Sequence, residues 1–257
     1  VDIQVRNADG SMRAETRTFW DSHLGPVIYR SRDRVFSVKS SRLDAFQYFN
    51  GFYELSKART LKDWMAALRY NYVPTSNFTY ADADGNILYF WNGRVPVRQE
   101  GRDYRLDVEA RGPQDIWTRF HDMADLPQLL NPPGGYVQNA NNPPQFVSMR
   151  DPIDMTKYPS HFERGSLALR PQLALDMLES RQTFSVQDVI DLKYTTRMLL
   201  AERVKRDVVA AVRAAHDPPE EAKAGAHVHE AWDDRASAES RGGVLFGRFW
   251  DLYSDAV

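Results

Sequence analysis

Three asparagines within four positions, Asn139, Asn141 and Asn142, stand between the proline pairs Pro132-Pro133 and Pro143-Pro144. Such a stretch makes neither a helix nor a long strand. One reading is a solvated loop in which Asn side chains close turns on their own backbone. The sharper reading is a rigid loop that presents an Asn amide as a fixed donor to a developing oxyanion, a device worth about 10²–10³ in rate.

Other residue sets carry less chemistry. Asp82-x-Asp84-Gly85-Asn86 hints at a calcium loop, but Ile87 and Gly93 stand where such a loop needs Gly and Glu, so a hairpin turn is the better reading. His227-x-His229, with Glu230 and Asp233, has no clear third metal ligand and reads as solvated histidines in a polar connection. Cysteine is absent, which removes thiol nucleophiles, disulfides and thiolate-bound zinc. Trp64, Phe90, Trp91 and Trp250 read as core or groove aromatics.

The elements that must position these groups are mixed. Val1 to Arg6 and Glu15 to Trp20 alternate around an Asn7-Ala8-Asp9-Gly10 turn, and Asn77–Asp82 with Ile87–Phe90 forms a second hairpin. A helix is expected from Leu43 to Leu55, aromatic through Phe46, Phe49 and Tyr53, and another after the cap Thr60, with Asp63 three residues on. Residues 92–165 are rich in Pro, Gly and Asn, and a loop that long is usually functional. Helices return at Leu173–Leu178, after the cap Ser185, and from Thr195 to Ala215; residues 217–229 read as a polar connection. The class is α+β, with 1–165 holding strands, helices and the Asn loop, and 166–257 mostly helical.

Bulk properties exclude several functions. The 257 residues include 42% apolar residues, enough for a substantial core. A net charge of −2 gives no basic footprint for nucleic acid. No apolar run approaches the ~18 residues of a membrane span.

Asn131-Pro132, an aromatic after glycine, then Asn139-x-Asn141-Asn142-x-Pro144 is similar to the oxyanion loop of the penicillin acylase family, whose members are N-terminal-nucleophile hydrolases. Further segments resemble that family in its order. They are His23-Leu24-Gly25-Pro26-Val27-Ile28 (with Leu24 inserted), the Asn77-x-x-Tyr80-Ala81-Asp82-x-x-Gly85-Asn86-Ile87 hairpin, Gly93-x-x-Pro96-x-Arg98, Leu169-Arg170, and Trp232-Asp233 before Ser240-x-Gly242. The resemblance covers nearly the whole chain.

It implies part of an αββα sandwich with additional helices, and an amidase acting on an N-acyl compound. The Asn139-Ala140-Asn141-Asn142 loop and Tyr158-Pro159-x-x-Phe162 look closest to the branch acting on acyl-homoserine lactones and lipopeptides; penicillin-type substrates stay open. In the family a Ser at the N-terminus of the large subunit, exposed by self-cleavage of a precursor, attacks with its own α-amino group as base. Val1 is no such nucleophile, and Ser11 lacks the following Asn. The resemblance therefore implies an internal segment of the large subunit, inactive alone, whose partners are the remaining large-subunit segments and the small subunit. Asn141 matches the oxyanion donor and Arg170 the arginine beside the nucleophile's amine; the plain alternative for Arg170 is a surface ion pair. Ser76, Asn77 and Phe52 fall near acyl-pocket positions. No organic cofactor is required; relatives often hold a structural calcium, for which Asp151 or Asp154 would be the ligand here. Location follows the family, periplasmic or secreted. The rival reading is a non-catalytic carbohydrate- or protein-binding domain.

Overall fold

The computed structural model describes residues 1–41, 47–69 and 75–257, which form two units. The first holds residues 1–137 and 150–164; the second holds 138–149 and 165–257. The Asn loop thus belongs with the helical part of the chain.

In the first unit, β1 (Asp2–Arg6) and β2 (Met12–Thr16) pair antiparallel from Asp2↔Thr16 to Arg6↔Met12. Their turn closes where Asp9 accepts from both the N–H and the hydroxyl of Ser11. A second sheet runs β3 (Asp21–Ser22), β4 (Gly25–Arg30), β5 (Val35–Ser37). Two helices follow, α1 (Tyr48–Lys57) and α2 (Leu61–Leu68). The Thr60 side chain caps α2 by accepting from Asp63 N–H at 3.1 Å, satisfying one of the helix's free donors. Of the expected first helix, Leu43 and Phe46 lie outside the described residues. Phe49 is 85% exposed, while Phe52 turns toward Phe78, with ring centroids 6.3 Å apart.

The third sheet carries this unit's core. β6 (Thr75–Ala81), β7 (Ile87–Gly93) and β8 (Gln128–Leu130) pair antiparallel, with β7 in the middle. An unbroken run, Ile87-Leu88-Tyr89-Phe90-Trp91, suits a strand covered on both faces. Leu88, Tyr89 and Phe90 are indeed buried. Trp64 of α2 meets Phe78 at 5.4 Å and Tyr80 at 5.2 Å, joining helix to sheet. Trp91 meets Phe162 at 5.2 Å, and Tyr158 stacks on the same ring. The Tyr158…Phe162 segment is therefore core packing in this unit.

The second unit is helical: α3 (Leu169–Glu179), α4 (Val186–Lys193), α5 (Leu199–Ala214), α6 (Glu220–Ala231) and α7 (Arg241–Ala256). Ser185 and Asp188 exchange the reciprocal bonds of a capping box at the head of α4. The start of the expected Thr195–Ala215 helix is instead extended, since Met198 N–H bonds Asp234 O and Ala236 N–H bonds Thr196 O.

The expected polar connection over 217–229 is a helix, α6. Its Ala, Glu and Lys residues are strong helix formers, and Glu220 and Glu221 favour its N-terminal dipole. Only Ala226 and His229 of α6 are buried, one helical turn apart, so no apolar stripe marks it. His229 is correspondingly no solvated histidine. It is 4% exposed, with its ring 5.9 Å from Phe246 and 6.3 Å from Trp232. The core around it gathers Ala201, Trp232 and Phe246, with Met198, Val204, Phe249 and Trp250 at its edge. Gly242 explains the Trp232…Gly242 pairing in the sequence, because a Cβ there would collide with the Trp232 ring.

Among the described residues no helix is long and apolar enough to cross a membrane.

Candidate functional site

The Asn loop is built by two of its asparagines so that the third is left outside. Asn139 accepts from Asn141 N–H at 3.0 Å, an Asx turn, and donates to Asn142 O at 3.2 Å. Asn142 is 1% exposed. Its Oδ1 accepts from Ala140 N–H at 2.9 Å and from Gln138 Nε2 at 3.2 Å, and its Nδ2 donates to Pro143 O at 3.1 Å. Gln138 Nε2 also donates to Phe146 O at 2.7 Å, which staples the two ends of the loop. Both the turn reading and the presentation reading of this stretch therefore have a geometric counterpart, on different asparagines.

Asn141 is exposed and sits at φ 58°, a left-handed conformation that Asn tolerates better than most residues. Its side chain makes no bond to the loop. Instead its Oδ1 accepts from Arg170 Nη2 at 2.8 Å. A guanidinium only donates, so the atom facing Arg170 must be the amide oxygen. The NH₂ end is turned away, without a protein partner among the described residues.

Arg170 is the second residue of α3, where a cation gains nothing from the helix dipole. Among the described residues it has no carboxylate partner, so the ordinary surface ion pair is not formed. Gln145 Nε2 donates to Gly165 O at 3.4 Å, and Gln172 Nε2 to Leu167 O at 2.6 Å, tying down the loop and the entry to α3.

Ser76, Asn77 and Phe52 lie in the first unit. On β6 successive side chains alternate, so Ser76 shares a face with Phe78, which meets Phe52. Asn77 is on the opposite face, where its Oδ1 accepts from the Tyr89 hydroxyl at 2.6 Å. Burial pushes that phenol's pKa far up, so it stays a donor. The three positions do not line one surface of β6.

Asp151 accepts from Gly134 N–H at 2.8 Å, and Asp154 caps a short turn through Thr156. A Cβ at Gly134 would run into that Asp151 carboxylate, which accounts for the glycine. Among the described residues no group of three or more His, Cys, Asp or Glu side chains could hold a metal ion. Gln138 and Asn142 are the site residues that reading for exposed donors passes over. Both lie inside the motif itself, but nothing in a residue's type tells a buried staple from a presented amide.

Taken together, the second unit offers a fixed amide NH₂ and a guanidinium without a carboxylate partner among the described residues, two donor groups suited to negative charge on oxygen. A family model described as penicillin amidase matches residues 1–257. Penicillin G acylase of Escherichia coli is 32% identical over 146 residues, covering 56% of this chain and 16% of that protein. An acyl-homoserine lactone acylase of Pseudomonas fluorescens is 22% identical, covering 95% of this chain and 35% of its own length. Aculeacin-A acylase of Actinoplanes utahensis is 25% identical, covering 96% and 36%. Among solved structures, the thermostable penicillin G acylase of Alcaligenes faecalis matches with a TM-score of 0.63 at 21% identity, over 93% of this chain and 42% of that one. That likeness carries the fold alone, a mixture of helix and sheet. The chain is matched almost throughout by the acyl-homoserine lactone and aculeacin-A acylases, yet it spans only 35% and 36% of their lengths.

Proposed function

Because the chain belongs to the penicillin amidase family, we propose that it forms part of an amide hydrolase that cleaves the N-acyl bond of penicillin-like, acyl-homoserine-lactone or lipopeptide substrates, with Asn141 as its side-chain oxyanion donor. The observation that carries this reading is the Arg170–Asn141 hydrogen bond at 2.8 Å. It leaves the Asn141 NH₂ as the outward end of an amide that cannot turn over without losing a charge-assisted bond.

In this reading a nucleophilic Ser attacks the substrate carbonyl, and negative charge gathers on its oxygen. Asn141 Nδ2 donates to that oxygen as the tetrahedral intermediate forms. Arg170 holds the amide and sets a positive charge near the nucleophile's α-amino group, which favours the neutral, basic amine. The nucleophile is supplied by the remainder of the large subunit, and the small subunit completes the acyl pocket. Ser11 does not fill the role: its hydroxyl is bound to Asp9 in an exposed turn. The 257 residues alone are accordingly expected to hydrolyse no N-acyl substrate. The parent protein works in the periplasm or outside the cell, as the family resemblance suggests.

The test is Asn141→Ala in the complete, processed acylase. Loss of the oxyanion donor lowers kcat by about 10²–10³ with the fold intact. A loss below about threefold in mature enzyme, well short of that donor's worth, would make Asn141 a turn residue and end the assignment.

A further inference from the structure

Two cations without a bonded carboxylate among the described residues lie in the first unit, where a cavity of about 260 Å³ opens between Lys39 and the loop that runs from Val97 to Trp117. We propose that this cavity binds a small organic carboxylate, its acid group held between Arg98 and Lys39 and its apolar body laid against Trp117 and Leu106. The inference is independent of the acylase reading. The lining includes none of Asn141, Arg170, Ser76, Asn77 and Phe52.

Both cations sit on one indole. Lys39 Nζ is 4.4 Å from the Trp117 ring centroid, and Arg98 Cζ is 5.1 Å from it and 4.9 Å from that of Tyr104. The ring faces attract each charge but offer no acceptor for the guanidinium fork or the ammonium protons. Arg98 Nε is buried without a hydrogen-bond partner. Lys39 donates to the backbone oxygen of Asp115, not to its carboxylate.

The carboxylates nearby are occupied or outside. Asp115 is bound by Arg102 and accepts from the N–H groups of Arg111 and Gly112. Glu109 stands 3.9 Å from Arg111, and Asp107, which also lines the cavity, is exposed to solvent. Among the described residues, then, no carboxylate is bonded to Lys39 or Arg98, and the Asp115 carboxylate, already bound by Arg102, favours the charged Lys39 without a bond to it. Burial weakens the charged form of each, offset in part by Asp115 for Lys39 and by Tyr104 for Arg98. An anion between them would remove both penalties at once.

The shape selects among anions. A planar guanidinium matches the two oxygens of a carboxylate. Leu106, Val97 and the Trp117 ring leave room on the other side for an apolar body. The volume falls below the roughly 300–1,000 Å³ of drug-sized sites, which keeps the ligand small.

Calorimetric titration of the 257-residue chain with benzoate, and with its neutral isostere benzamide, tests the proposal. Saturable one-to-one binding of benzoate is expected, with benzamide weaker by about tenfold or more, the worth of a charge-assisted bond. Lys39→Met and Arg98→Gln should each weaken benzoate by about tenfold and leave benzamide nearly unchanged. Arg98 also packs on two rings, so if Arg98→Gln unfolds, the neutral-ligand comparison and Lys39→Met, which keeps an aliphatic stem on Trp117, decide the matter. No saturable benzoate binding, benzamide binding as tightly as benzoate, or wild-type affinity in Lys39→Met would each overturn it.

Discussion

Arg170 donates from Nη2 to Asn141 Oδ1 at 2.8 Å, across 29 residues of sequence, and so decides which end of the Asn141 amide faces outward. One bond links the two residues proposed for catalysis, and it separates their roles: Asn141 presents the donor and Arg170 orients it and supplies charge. Replacing Arg170 should therefore disturb both geometry and titration. In the processed enzyme, Arg170→Met removes a positive charge proposed to depress the nucleophile's amine, whose ordinary pKa is about 7.7–8.0. The amine's pKa rises, so the acidic limb of the kcat/KM profile moves to higher pH. Maturation must be confirmed first, since the same site performs self-cleavage. An unshifted limb with a near-normal rate would return Arg170 to the helix as a structural residue.

Asn142 and Asn141 are neighbours with opposite exposure, and substitutions at the two should separate stability from rate. Asn142→Ala leaves the Ala140 N–H without its acceptor in a buried loop and loosens Gln138. An unsatisfied buried donor costs about 1–3 kcal/mol, so urea denaturation should show a loss of that order. Asn141→Ala removes an exposed side chain with a single partner but also strains the backbone at φ 58°, whereas Asn141→Gly avoids that strain and should shift stability by only about 0.5 kcal/mol or less. Equal stabilities for Asn142→Ala and Asn141→Gly would mean that Asn142 does not hold the loop.

The sequence made the second hairpin readable because its chemistry is local. Asp82 accepts from Asn86 N–H at 2.9 Å, and Gly85 takes the positive φ that the turn requires. What stays hidden is the partner of that turn. Asn131, at φ 48°, donates to Asn86 Oδ1 at 2.9 Å and accepts from Ile87 N–H at 2.8 Å. The hairpin motif and the Asn-Pro start of the loop segment thus travel together for a physical reason, but 45 residues of sequence separate the two asparagines. Helix α6 was missed for the opposite reason: its two buried positions, an alanine and a histidine, give periodicity no contrast to detect. Ser76 and Asn77 illustrate a third limit. The family resemblance puts both near pocket positions, yet adjacent strand residues face opposite ways.

Gly242 gives a direct test of the second unit's packing. Its position in α7 lies against the Trp232 ring, with no room for a Cβ. Alanine is the better helix former by about 0.8–1.0 kcal/mol, so an open site would be stabilised by Gly242→Ala. Overpacking a filled site instead costs about 1–3 kcal/mol. A net loss is expected, with changed near-ultraviolet circular dichroism from the displaced indole. Stabilisation by Gly242→Ala would show that Trp232 moves aside freely.

His229 should make the helical unit sensitive to mild acid. Its ring is enclosed by Trp232, Phe246 and Phe249, and its Nε2 is buried without a hydrogen-bond partner. Burial first, and then the positive charge of Lys205, hold its pKa below the ordinary 6.5, while Asp234 pulls weakly the other way. A base with a lowered folded pKa binds fewer protons than the unfolded chain once the pH drops below the unfolded value. The stability it contributes is thus fully present above about pH 6.5 and declines as the pH falls toward the folded pKa, by at most about 1.4 kcal/mol per pH unit. His161, in the first unit, is shifted the same way, by burial and then by Arg98 and His121. The readout must therefore favour the second unit, and helical circular dichroism does, since five of the seven α-helices among the described residues lie there. Replacing the imidazole by a ring that takes no proton, His229→Phe, should reduce the drop in urea midpoint between pH 7 and pH 5. If parent and variant lose stability in parallel across that range, the enclosed imidazole is not what acid attacks.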